Sequence, residues 1–190
     1  MISATASQNH TMDLKGKTIL TERLRMVPLD LDHVDAILEW ANDPAVTGNS
    51  QFFREPSDRK RIARFILEHE TSEECAYFAA FVREGDYVGN VFLINMNRTH
   101  RHAQAGITLK QAAWNHGYAK ELMRALVSFA FEDLDLNKVY LQVFTTNEKG
   151  LKLWTKVGFT VEGVLRQHYF VNGAFHDMYS MSMLREDAAG

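Results

Sequence analysis

The sequence predicts a mixed α/β domain built on one largely antiparallel sheet, and three observations carry that expectation. Apolar runs of strand length are interleaved with segments whose apolar residues recur at helical spacing. Two pairs of apolar runs are joined by turn dipeptides, Gly85-Asp86 and Asn172-Gly173, which mark antiparallel hairpins. Regular strand–helix–strand alternation, the mark of a doubly wound parallel sheet, is missing. A chain of 190 residues suits one ordinary domain. We expect a flexible tail over 1–16 and a single domain over 17–190.

Taken in order, "TILTERLRMVPL" (18–29) reads as a strand ending near Pro28. "DLDHVDAILEWANDP" (30–44) opens on a capping aspartate and places Val34, Ile37, Leu38 and Ala41 at helical spacing, before Asp43-Pro44 stops it. "EPSDRKRIARFILEHE" (55–70) is a second helix with Ile62, Phe65 and Ile66 on one face. The hairpin "CAYFAAFVRE"/"DYVGNVFLINMN" and a third strand, "HAQAGITLK" (102–110), follow. A helix then runs from Gly117 to about Phe131, with Ala119, Leu122, Met123, Leu126 and Ala130 on one stripe. "KVYLQVFT" (138–145) is a strand, and "NEKGLKLWTKVG" (147–158) a short helix capped by Asn147 and stopped by Gly158. The last two strands turn at Asn172-Gly173.

Composition narrows the function. With 21 basic and 24 acidic residues the formal charge is −3, so no global basic field points to nucleic acid. The single cysteine, Cys75, cannot form an internal disulfide and suits a reducing compartment; we expect a cytoplasmic protein. No stretch reaches the roughly 20 apolar residues of a membrane span. His100 and His102 are two apart, which in a strand would point them to opposite faces, and no cysteine or carboxylate cluster joins them, so we expect no metal.

One stretch carries chemistry. In "QAAWNHGYAKELMRALVSFAF" (111–131) a helix begins directly on Gly117 and leaves its first N–H groups bare. Such groups, with the roughly half positive charge of the helix dipole, form an anion site that a diphosphate fits. A glycine there also serves as a plain cap. Competing phosphate motifs fail: Gly16-Lys17-Thr18 would need a glycine at position 11, which is Thr11, and no G-x-G-x-x-G occurs.

Together, "WNHGYAKE" (114–121) and "NEKGLKLWTKVGFTVEGVLRQHYFVNGAFHDMYSMSML" (147–184) resemble the GNAT N-acetyltransferases, in particular the ribosomal-protein-alanine and spermidine branches. Asn147, the Lys156-x-Gly158-Phe159 run, Glu162-Gly163 and "TERLRMVPL" (21–29) fall in step. The resemblance implies the acyl-CoA N-acyltransferase fold and acetyl transfer from acetyl-CoA to a primary amine, without a metal. It places the diphosphate on Asn115, His116, Gly117, Tyr118, Ala119 and Lys120, with Trp114 where the commoner motif has Gln or Arg. It places the pantetheine along a splayed strand at Ile107, Thr108 and Leu109, with Asn147, Lys149 and Trp154 beside it. Asn147 is equally a plain N-cap.

The tyrosine and serine that the two branches use as acids are replaced by Trp154 and Gly150. Tyr179 or Tyr169 could substitute as the acid, and an acid is dispensable when the leaving thiol has a pKa near 8.5. Glu162 is the candidate base; its other reading is a strand-edge charge paired with a lysine. Glu55, Phe53, Gln104 and Tyr169 are candidate acceptor contacts; the other reading of Glu55 is a cap of the second helix, and that of Phe53, the commoner one for such a residue, is core packing. Gln104 stands where spermidine acetyltransferases carry glutamate, so we expect a protein N-terminus or small amine as acceptor, with a polyamine or aminosugar as the alternative. A non-catalytic acyl-CoA sensor and a nucleotide-binding module are the readings of other classes. The final hairpin also suggests edge pairing into a homodimer.

Overall fold

The computed structural model describes residues 14, 16–48, 55–171 and 173–189. Among the described residues, eight strands form one sheet in the order β1-β2-β3-β4-β5-β6-β8-β7. They are β1 (Ile19–Leu20), β2 (Leu24–Pro28), β3 (Ala76–Val82), β4 (Tyr87–Asn97), β5 (His102–Leu109), β6 (Lys138–Phe144), β7 (Thr160–Val171) and β8 (Ala174–Leu184). Every neighbouring pair is antiparallel except β5–β6. The helices are α1 (Val34–Ala41), α2 (Pro44–Thr47), α3 (Arg59–His69), α4 (Tyr118–Glu132) and α5 (Glu148–Val157).

Strand alternation divides the core in two. Phe78, Leu93 and Val139 pack on one face with Leu122, Met123 and Leu126 of α4. Ala79 and Tyr87 pack on the other with Ile37 and Trp40 of α1 and Ile62 and Ile66 of α3. The middle strand β4 is covered on both faces, so its apolar run shows no alternation.

Three expectations need correction. Residues 18–29 are two strands, because the Thr21 hydroxyl and backbone both bond Leu24 and turn the chain. Residues 30–44 hold a 3-10 turn before α1, since the Asp30 side chain accepts from the Asp32 N–H and His33 closes the cap. His100 and His102 do not oppose one another, because residues two apart along a strand share a face; His100 lies in the turn that leads into β5, and the two rings stack 6.3 Å apart.

The hairpins turn where expected. Gly85 N–H donates to Val82 O at 3.0 Å. Val171 pairs with Ala174 around Gly173 (φ +78°), while Asn172 lies outside the described residues. The expected tail lies almost wholly outside them as well. The hairpin tip exposes the paired rings of Phe170 and Phe175, 61% and 62% accessible, at the free β7 edge. No described helix is long and apolar enough to cross a membrane.

Candidate active site

The sheet opens between β5 and β6. These strands pair only at His102↔Lys138, Ala103↔Val139 and Gln104↔Tyr140. Beyond that point β5 keeps its bonds to β4 as far as Leu109↔Gly89, and β6 keeps its bonds to β8 as far as Phe144↔Met178. Ile107, Thr108 and Leu109 therefore present an unpaired edge to a cleft of about 260 Å³. Gly106 is required here, because a Cβ would sit 2.2 Å from the Phe92 ring.

At the mouth of the cleft the chain forms the turn that carries Gly117. Asn115 (φ +63°) and Gly117 (φ +77°) both adopt left-handed backbone. No side chain caps α4, and its first backbone bond is Glu121 N–H to Gly117 O at 3.4 Å. The N–H groups of Tyr118, Ala119 and Lys120 thus have no helical partner. The Trp114 indole donates to Leu109 O at 3.0 Å and ties the turn to the end of β5.

The carboxylate of Glu121 does not occupy this anion site. It accepts from the Thr21 hydroxyl, from Arg23 N at 2.9 Å and from Arg23 Nε at 2.7 Å. Burial alone would raise its pKa, but the Thr21 and Arg23 bonds together hold the carboxyl below the ordinary 4.5. Arg23 also donates to His116 O at 3.0 Å and lies over the Tyr118 ring. Arg23, Lys120 and Arg124 line an open groove beside α4. Basic side chains and bare amides fit a diphosphate with a further phosphate beyond it.

The cleft pierces the sheet. Met123 and Trp154 wall it on the α4–α5 face, and Ala45, Val46, Phe92 and Gln104 on the α1–α3 face. Two reactants can therefore approach one point from opposite sides. Asn147 caps α5, its Oδ1 accepting from Gly150 N at 2.9 Å, and at the same time lines the cleft. Gly150 leaves room for that cap, since a Cβ would lie 2.7 Å from Asn147 Nδ2.

A family model described as an acetyltransferase (GNAT) domain matches residues 23–160. The chain belongs to the GNAT acetyltransferase family. This GNAT acetyltransferase is 28% identical over 177 residues to p20 of Bacillus licheniformis, an uncharacterized N-acetyltransferase, covering 92% of this chain and 99% of that one. It is 34% identical over 137 residues to spermidine N(1)-acetyltransferase of Vibrio cholerae, covering 72% and 79%. A crystal structure of the Vibrio cholerae spermidine N-acetyltransferase with CoA and spermine superposes with a TM-score of 0.82 at 24% identity, covering 90% of this chain and all of that one. A mutant form of that enzyme superposes at 0.79 and 25% identity, covering 90% and 98%. The open sheet is thus the fold of an N-acetyltransferase.

Of the residues singled out in the sequence, the structure gathers Ile107, Thr108, Leu109, Gln104, Asn147 and Trp154 at the cleft. Asn115, His116, Gly117, Tyr118, Ala119 and Lys120 form the turn and the first helical turn. Lys149 is exposed on α5 and does not line the cleft. Tyr169 packs edge-on against Phe144, which does. Tyr179 pairs with Val143, which lines the cleft, but is not itself among the lining residues.

Glu162 is engaged elsewhere. Lys138 Nζ lies 2.6 and 2.9 Å from its two oxygens, at the closed end of the β5–β6 pair. Hydrogen bonding to Lys138 is the main reason its carboxyl is held below the ordinary value. It is a lysine-paired strand-edge charge, and its expected role as base is not carried forward. Glu55 is exposed and bonded to Arg61 at 2.8 Å, and Phe53 lies outside the described residues. Sequence reasoning missed Thr21, Arg23 and Glu121 as supports of the turn, because only the packing of the β1–β2 segment on α4 brings them together.

Proposed function

We propose that the chain moves an acetyl group from acetyl-CoA to the primary amine of a small molecule, in the cytoplasm and without a metal. The observation that carries this reading is the sheet opened beyond Gln104, with the bare amides of the Gly117 turn at its mouth. Those amides, with Arg23, Lys120 and Arg124, would hold the diphosphate, and the free edge of Ile107–Leu109 would hold the pantetheine arm. Acetyl-CoA supplies the acyl group as a thioester.

In the transfer the amine nitrogen bonds the acyl carbon, the carbon–sulfur bond breaks, and one proton passes overall from nitrogen to sulfur. The described side chains lining the cleft include no titratable group. The amine must therefore lose its proton to water, helped by the apolar walls, which disfavour its charged form. A thiol pKa near 8.5 lets sulfur leave as thiolate. Trp154 then walls the thioester and supplies no proton.

A polyamine acceptor is the second reading, favoured by the relatives named for spermidine. Two copies pairing along the free β7 edge would be seen by sedimentation. Incubating the chain with acetyl-CoA and an amine panel that includes spermidine, and detecting each acetylated product by mass, tests the proposal. Tight CoA binding with no product from any amine would contradict it and favour an acyl-CoA sensor.

A further inference from the structure

On the α1–α3 face Phe92 and Thr108 line both the cleft and a second cavity of about 120 Å³. That is comparable to the roughly 150 Å³ that takes a benzene ring. Trp40, Ile62, Phe65 and Tyr77 line it together with the polar side chains of Ser57, Arg61 and Asn90, the last only 7% accessible. No carboxylate lines it among the described residues. Arg61, which lines the cavity, is ion-paired outside it with the exposed carboxylate of Glu55 at 2.8 Å.

Asn90 is held in one orientation by a directional relay. The Trp40 indole can only donate, and it donates to the Tyr87 hydroxyl at 3.0 Å. The hydroxyl must then give its own hydrogen to Asn90 Oδ1, 2.9 Å away. Burial pushes the Tyr87 phenol up, so the relay keeps its proton across the physiological range. The Asn90 oxygen is thereby occupied, and Asn90 lines the cavity with its NH₂ group as the remaining side-chain donor. A ligand oxygen in the cavity would give that donor a directional partner.

Resting on the acyl-transfer reading above, we propose that the acceptor is a monoamine with an apolar, ring-sized body and a hydrogen-bond-accepting oxygen, read by the Asn90 NH₂. A polycation is disfavoured, because its further ammonium groups would leave water for a cavity that offers donors and aromatic walls but no free carboxylate. Rejection of an analogue that lacks the oxygen follows from leaving the Asn90 donor unsatisfied.

The test compares kcat/KM for tyramine, phenethylamine and spermidine with the full chain and acetyl-CoA. Tyramine and phenethylamine differ only in the oxygen. We expect tyramine to exceed phenethylamine by about tenfold, and both to exceed spermidine. Asn90→Leu should erase the tyramine-to-phenethylamine ratio. Tyr87→Phe, which frees the amide to turn over, should narrow it. CoA affinity measured by calorimetry reports that each variant is folded. Spermidine preferred over both monoamines overturns the inference while leaving acetyl transfer intact, and so does an unchanged ratio in both folded variants. CoA binding with no acetylation of any of the three overturns the transfer reading itself.

Discussion

The backbone at Gly117, with φ at +77°, is easy for glycine and costs any other residue about 1–2 kcal/mol. A methyl group there would meet only Arg23 Nη2 at 3.5 Å, an ordinary contact, so the penalty is torsional. Gly117→Ala should destabilise the chain by about 1 kcal/mol and weaken CoA binding, read by thermal melting and calorimetry. Glu121 supports the same turn and gives a pH signature. Its folded pKa lies below 4.5, so its contribution is complete above that pH and is lost as pH falls through the lowered folded value. Glu121→Gln should therefore flatten the dependence of Tm on pH below 4.5. Glu162 carries the opposite expectation for activity: Glu162→Gln should leave kcat/KM within about threefold of the parent, since only a surface ion pair is lost.

Among the elements, α5 shows how a missing hydroxyl has a structural reason. Asn147 caps the helix and occupies the space a side chain at 150 would need. Gly150→Ser should not restore an acid. It should displace the cap, costing about 1 kcal/mol and weakening CoA binding together with stability. The caps of α5, the hairpins and the α4 start were legible in the sequence because each rests on neighbours within a few positions. The fate of Glu162 was not, since Lys138 is 24 residues away and meets it only across β8. Arg23 and Glu121, 98 residues apart, were hidden for the same reason. The turn at Thr21–Leu24 escaped notice because its apolar flanks read as one continuous strand.

Across the whole molecule, the sheet separates two approaches to one gap. The α4–α5 face offers amides and basic groups, and the α1–α3 face offers aromatic walls. With no titratable side chain among those described at the gap, log kcat/KM should rise with unit slope up to the free amine's own pKa. Its midpoint should move with the amine chosen, and a plateau fixed near neutrality for every amine would point instead to an enzyme base. That the strand splays at Ile107–Leu109 was expected from family resemblance alone; no spacing along the chain states where parallel pairing stops. The register of β4, β5 and β6 supplies it.

Hydrogen exchange with and without CoA tests the central claim most directly. The account predicts new protection concentrated in the amides of Ile107–Leu109 and Asn115–Lys120, with the β6–β8 pair unchanged. Saturating CoA that leaves both segments exchanging as in the free chain would contradict it.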